Sequence, residues 1–89
     1  MLSELREQEI IFKALANHRR LSLLAYLKHR KRASVGELAA HLKLSFGATS
    51  RHLSLLVRAG FLDSEQKGLQ VYYYILPVTG RFKARFDIC

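Results

Sequence analysis

The feature that most constrains this chain is a pair of short amphipathic segments separated by only Lys43-Leu44-Ser45. Ser34-Val35-Gly36-Glu37 opens the first with the shape of a capping box: the serine hydroxyl accepts a backbone N–H and Glu37 reaches back to the cap. Behind it Val35, Leu38, Ala39 and Leu42 fall at i, i+3, i+4 and i+7, one face of a helix. Ser45 is a good N-cap for the next helix, whose buried side is expected to carry Thr49, Leu53 and Leu56. Gly60 ends that helix, and Arg58 in its last turn suits the negative end of the helix dipole.

What flanks this pair completes a fold. Over residues 2–16 Leu5, Ile11/Phe12 and Leu15 recur with a helical period, and Asn17 can cap a second helix carrying Leu21, Leu24, Ala25 and Leu27. After Gly60, residues 61–66 and 69–76 are two short β-like runs around Lys67-Gly68. In the second run Tyr73 groups with Val71 and Ile75, while Tyr72 and Tyr74 face the other way. Residues 78–89 can form a final short helix through Val78, Phe82 and Phe86. The expected order is α-α-α-α-β-β-α, mainly α with a small β-hairpin wing: a winged helix-turn-helix. It reads as one domain over 1–89, with the helix-turn-helix at about 34–58 and the wing at about 61–76. No repeat, low-complexity tract or linker interrupts it, and Pro77 is the only proline.

Charge narrows the function. Fifteen Lys and Arg against seven Asp and Glu leave +8 at neutral pH, and a pI near 10.2 in so small a domain marks a candidate polyanion binder. A hydrophobic fraction of 49% with 25% charged residues is that of a folded chain. A core this small leaves a net margin of about 3–5 kcal/mol, so a partner subunit is a natural source of extra stability. The single cysteine, Cys89, excludes an internal disulfide and favours a reducing compartment. The charged start lacks the apolar run of a signal peptide, and no stretch approaches the roughly 20 apolar residues that cross a bilayer. A cytoplasmic protein without membrane partners is expected. No Gly-rich phosphate loop, nucleophile with adjacent base or paired carboxylates can be assembled, so no enzyme is read here.

In a winged helix-turn-helix the second helix of the motif lies in the major groove, its N-terminal residues reaching base edges. Opposite the apolar edge stand Ser45, Phe46, Gly47, Ala48, Ser50 and Arg51. Arg51 is the best candidate for direct readout, since a guanidinium pairs with guanine through two hydrogen bonds. Ser50 can bond a base or phosphate, and Phe46 or Ala48 can touch a thymine methyl. Lys67 and Gln70 border the hairpin tip, where a cation can meet phosphates or the minor groove. A merely solvated surface helix and turn lysine are the alternatives. The run Lys28-His29-Arg30-Lys31-Arg32 fits flanking phosphates and helix-end cations equally well.

These residues resemble the ArsR-type family of winged-helix repressors from about Ile11 to Leu76. Phe12-Lys13-Ala14-Leu15-Ala16-Asn17-His18-Arg19-Arg20-Leu21 is similar to the family's F-K-A-L-(S/A)-(D/N)-P-T-R-L, departing at His18 and Arg19. Ser34-Val35-Gly36-Glu37-Leu38-Ala39 matches S-V-G-E-L-A, and Leu44-Ser45 with Ser50-Arg51-His52-Leu53 matches L-S-x-x-x-x-S-x-H-L. Leu56, Ala59-Gly60 and Val71-Tyr72-Tyr73 complete the set. The resemblance implies a homodimeric transcriptional regulator, a repressor, on a palindromic double-stranded DNA operator. It also implies a dimer interface of first and last helices, which fits Leu5, Phe12, Phe82 and Phe86. The family's metal-sensing cysteines correspond to Ser34 and Gly36 here, no histidine follows His52, and His18, His29 and His41 lack ligand spacing. No metal or cofactor is expected, and the effector stays open; Cys89 reads either as an inert exposed thiol or as a redox switch through an intersubunit disulfide or thiol modification. A protein-docking module and a nonspecific architectural DNA-binding protein remain the competing readings.

Overall fold

Asn17 divides the N-terminal helical stretch. In the computed structural model, which describes residues 2–77, helix α1 spans Leu2–Leu15 and α2 His18–Arg30. The Asn17 side chain accepts the backbone N–H groups of Arg19 at 2.9 Å and Arg20 at 3.3 Å, satisfying donors the helix itself cannot. After α2 come β1 (Ala33–Ser34), α3 (Val35–Leu42), α4 (Phe46–Arg58), β2 (Leu62–Lys67) and β3 (Gln70–Ile75). The last helix expected from sequence, with Phe82 and Phe86, lies outside the described residues.

Half of the capping box forms. Ser34 Oγ accepts the Glu37 N–H at 3.2 Å, but the Glu37 carboxylate turns to α2. There it accepts the Tyr26 hydroxyl at 2.5 Å and lies 3.6 Å from Arg30 Nε. A charge-assisted bond to a neighbouring helix replaces the return arm to the cap. The break between α3 and α4 is a Schellman closure followed at once by a cap. Leu44 N–H reaches Ala39 O at 3.1 Å and Lys43 N–H reaches Ala40 O at 3.3 Å, with Lys43 left-handed at φ +58°. Ser45 Oγ then accepts the Ala48 N–H at 3.1 Å. Helix α4 closes the same way, through Phe61 N–H to Leu56 O and Gly60 N–H to Val57 O, both 3.0 Å, and Gly60 sits at φ +90°.

Strands β2 and β3 pair antiparallel from Leu62↔Ile75 to Lys67↔Gln70, joined through Gly68-Leu69. Gly68 at φ +63°, followed by a residue with ordinary negative φ, is the type II′ pattern that matches strand twist. The wing is not a bare hairpin, however. Ala33 pairs with Tyr73 and Ser34 with Tyr72, so β1 adds a third strand in the order β1-β3-β2. The segment entering α3 is thereby stitched to the wing.

One apolar core joins all the helices and the sheet: Ile11 and Ala14 of α1, Leu23 and Leu27 of α2, Leu38 of α3, and Leu53 and Leu56 of α4, with Ala33 and Leu62 from the strands. Each large member contributes about 1.5–3 kcal/mol of burial. Helix α2 is rotated from the sequence expectation. Leu23 is fully buried, whereas Leu21 is 50% exposed and Ala25 faces solvent. Tyr73 packs on the core as expected. Among the described residues no helix is long and apolar enough to cross a membrane.

Candidate nucleic-acid interface

Burial of Thr49, Leu53 and Leu56 fixes the rotation of α4 and turns its other edge outward. Ser45, Phe46, Gly47 and Arg51 are exposed there, with Ala48 and Ser50 half-buried beside them. The structure thus gathers all six residues singled out on this helix on or beside its open edge. Ser45 is already occupied as an acceptor by its cap, which leaves its O–H free to donate.

At the wing tip Lys67 and Gln70 face each other across the last rung and both are exposed. Glu65 moderates the local charge: Lys67 Nζ lies 3.5 Å and Arg32 Nη1 3.6 Å from its carboxylate. Exposed pairs of this kind contribute about 0–1 kcal/mol, so a phosphate can displace them at little cost. Residues of the basic run at 28–32 are all exposed. Two of its cations are engaged, Arg32 with Glu65 and Arg30 with Glu37. Arg30 also lies 5.6 Å from the Tyr26 ring centroid. The neighbouring Tyr26 oxygen first, then the Glu37 carboxylate, hold the Arg30 guanidinium above its ordinary range.

Between α4 and the wing lies a cleft of about 360 Å³. Phe46 and Leu69 line it together with Val35, Val71, Ser50 and Gln70. The ring of Phe46 lies beside the start of α3: a Cβ on Gly36 would stand 3.4 Å from its Cζ, an ordinary contact distance. The sequence pointed to Phe46 but not to Leu69, which comes to line the same cleft only once the hairpin folds.

A second arrangement has no local signature at all. Arg20 donates to the carbonyls of Ala14 at 2.7 Å and Lys13 at 2.6 Å, closing the C-terminus of α1. Its Nη1 also lies 3.2 Å from His52 Nδ1 on α4. A guanidinium only donates, so Nδ1 is the acceptor and the proton sits on Nε2. Burial first, then the charges of Arg20, Arg19 and Arg51, push the His52 imidazole below its ordinary pKa and keep it neutral. His41 instead stacks on Tyr26 with ring centroids 4.3 Å apart, and its Nε2 is 2.9 Å from Ser22 Oγ. Among the described residues no three His, Cys, Asp or Glu side chains converge as a metal site. Of the expected dimer contacts, Leu5 and Phe12 lie exposed on α1; Phe82 and Phe86 fall outside the described residues.

Comparison with known proteins places this geometry. The model of the family described as "Bacterial regulatory protein, arsR family" matches residues 17–64, more than half the chain. The transcriptional activator HlyU of Vibrio cholerae serotype O1 is 41% identical over 64 residues, 72% of this chain and 58% of that protein. The cadmium resistance transcriptional regulatory protein CadC of Listeria innocua is 36% identical over 64 residues, 72% of this chain and 54% of that protein. The chain thus spans little more than half the length of these curated relatives. A solved structure of HlyU from Vibrio cholerae N16961 superposes with a TM-score of 0.73 at 34% identity, covering 94% of this chain and 88% of that one. The homodimeric winged helix-turn-helix DNA-binding domain Mb0332 of Mycobacterium bovis, a possible ArsR-family regulator, gives a TM-score of 0.75 at 28% identity over 83% of this chain and 68% of that one. These relatives are regulators rather than enzymes, and this chain is a winged helix-turn-helix member of the ArsR family of bacterial regulatory proteins.

Proposed function

We propose that the chain is a sequence-specific DNA-binding transcriptional regulator of the cytoplasm, folded over 1–89 as one domain and acting as a homodimer on a palindromic operator. Helix α4 enters the major groove with Ser45, Phe46, Gly47, Ala48, Ser50 and Arg51 along its DNA-facing edge, and Lys67 and Gln70 of the wing meet the flanking backbone. The observation that carries this reading is the outward edge of α4 with Arg51 exposed on it, in a chain of net charge +8. The homodimeric relative supports the dimer, with Leu5 and Phe12, and Phe82 and Phe86 of the last segment, as its contacts. Repression is the direction of regulation inferred, exerted by occupying an operator that overlaps a promoter.

The test is fluorescence anisotropy on the gene's own upstream duplex and a scrambled duplex across a salt series. A preference for the native duplex that persists as salt rises is expected. Arg51→Ala should cost about 1–3 kcal/mol on the native duplex and little on the scrambled one. Equal losses on both would make Arg51 a phosphate contact. Equal, steeply salt-dependent binding by the parent chain would indicate an architectural protein, and no binding to either duplex a protein-docking module.

A further inference from the structure

We propose that Phe46 and Leu69 form an apolar pincer that grips one deoxyribose–phosphate strand as it crosses from α4 to the wing. The inference rests on the DNA-binding reading above and adds a contact to it that is neither base readout nor charge pairing.

Leu69 is the most exposed large apolar residue described, at 102% of its reference area, and it occupies the tip of a two-residue turn. The type II′ geometry set by Gly68 fixes where its side chain projects. Phe46, 63% exposed, begins α4 on the other side of the same cleft. The start of α3 lies beside its ring, where a Cβ on Gly36 would meet Cζ at 3.4 Å, an ordinary contact distance. The cleft therefore has two apolar lips on separate elements, the start of α4 and the hairpin turn. Between them the lining combines apolar Val35 and Val71 with the hydroxyls of Ser34 and Ser50 and the Gln70 amide.

That mixture suits a DNA strand closely. A deoxyribose offers apolar C–H faces, which the lips can cover, and its phosphate offers acceptors for O–H and N–H donors. No cation lines the cleft, so closure on the strand releases no counterions of its own. Attraction is left to groups on either side, exposed Arg51 on α4 and Lys67 on β2, within a chain of net charge +8. The pincer thus acts on any sequence, and its effect is independent of salt.

The experiment uses the full chain with the native and scrambled duplexes, each titrated across a salt series by anisotropy. Leu69→Ser and Phe46→Ser should each weaken binding by about ten-fold, equally on both duplexes, as expected for losing part of one buried apolar side chain. The slope of log K against log salt should stay at the parent value. Leu69→Met, which keeps an apolar tip, should bind like the parent. Leu69→Ser touches nothing in the core, so its melting temperature should not move. Parent-like binding by Leu69→Ser overturns the pincer, as does a loss confined to the native duplex, which makes these residues base readers. A shallower salt slope overturns it too. If the parent chain binds neither duplex, the DNA-binding reading itself falls; if it binds and Leu69→Ser matches it, only the pincer does.

Discussion

Thr49 sits at 0% exposure, the one polar side chain buried among the described residues, and its hydroxyl has no hydrogen-bond partner. A buried donor left unmet costs about 1–3 kcal/mol, whereas a methyl in its place costs nothing in desolvation. Valine has nearly the same shape and a similar helix propensity. Thr49→Val should therefore raise stability by about 1 kcal/mol, which is roughly 4–8 °C in melting temperature for a domain this size. Calorimetry or denaturant unfolding decides it, and a destabilised variant would mean that the hydroxyl finds a partner in solution. The position of Thr49 was readable, because Leu53 and Leu56 follow it at i+4 and i+7. Its unmet hydroxyl was not, because satisfaction depends on what surrounds a side chain in space. Leu23 was missed for a related reason. Helix α2 is rich in leucine, and periodicity alone does not choose between a stripe through Leu21 and one through Leu23.

Between elements, Arg20 does what no local motif announces. It closes α1 through Lys13 and Ala14, stands in the first turn of α2, and meets His52 on α4, 32 residues away in sequence. Cap residues such as Asn17, Ser45 and Gly60 were legible because their work lies within a few positions of themselves. Strand β1 was not legible, since two residues carry no alternation and Ala33-Ser34 is a strand only by pairing with β3. The Arg20 contact has a pH signature. The folded state lowers the His52 pKa, so between the folded and unfolded values the unfolded chain binds more protons and stability rises with pH. The contribution is complete above the unfolded value, about 6.5, and is lost as pH falls through that value toward the folded one. Unfolding at about pH 7.5 and about pH 5.5 should then show a larger drop for the parent than for His52→Gln, which keeps an acceptor for Arg20 but does not titrate. Equal drops would place the His52 imidazole in water rather than against Arg20, Arg19 and Arg51.

At the scale of the whole molecule, the proposed dimer turns on α1. Leu5 and Phe12 lie seven residues apart and so on one face, 56% and 57% exposed, away from the edge that buries Ala14. A monomer offers one α4 to one half-site, while a twofold dimer presents two, spaced about one helical turn apart on the duplex at roughly 34–36 Å. Linking the two contacts raises affinity by about 10²–10⁴ without any new bond, so the dimer governs binding more than any single side chain. Phe12→Ser is expected to shift the chain from dimer to monomer by sedimentation and to weaken binding to a full palindrome by roughly 100-fold or more. Binding to an isolated half-site should stay within a few-fold, which separates a lost interface from a lost fold. A Phe12→Ser chain that remains dimeric would move the interface off this face of α1. A monomer that still binds the full palindrome at parental affinity would instead show that a single α4 and its wing suffice.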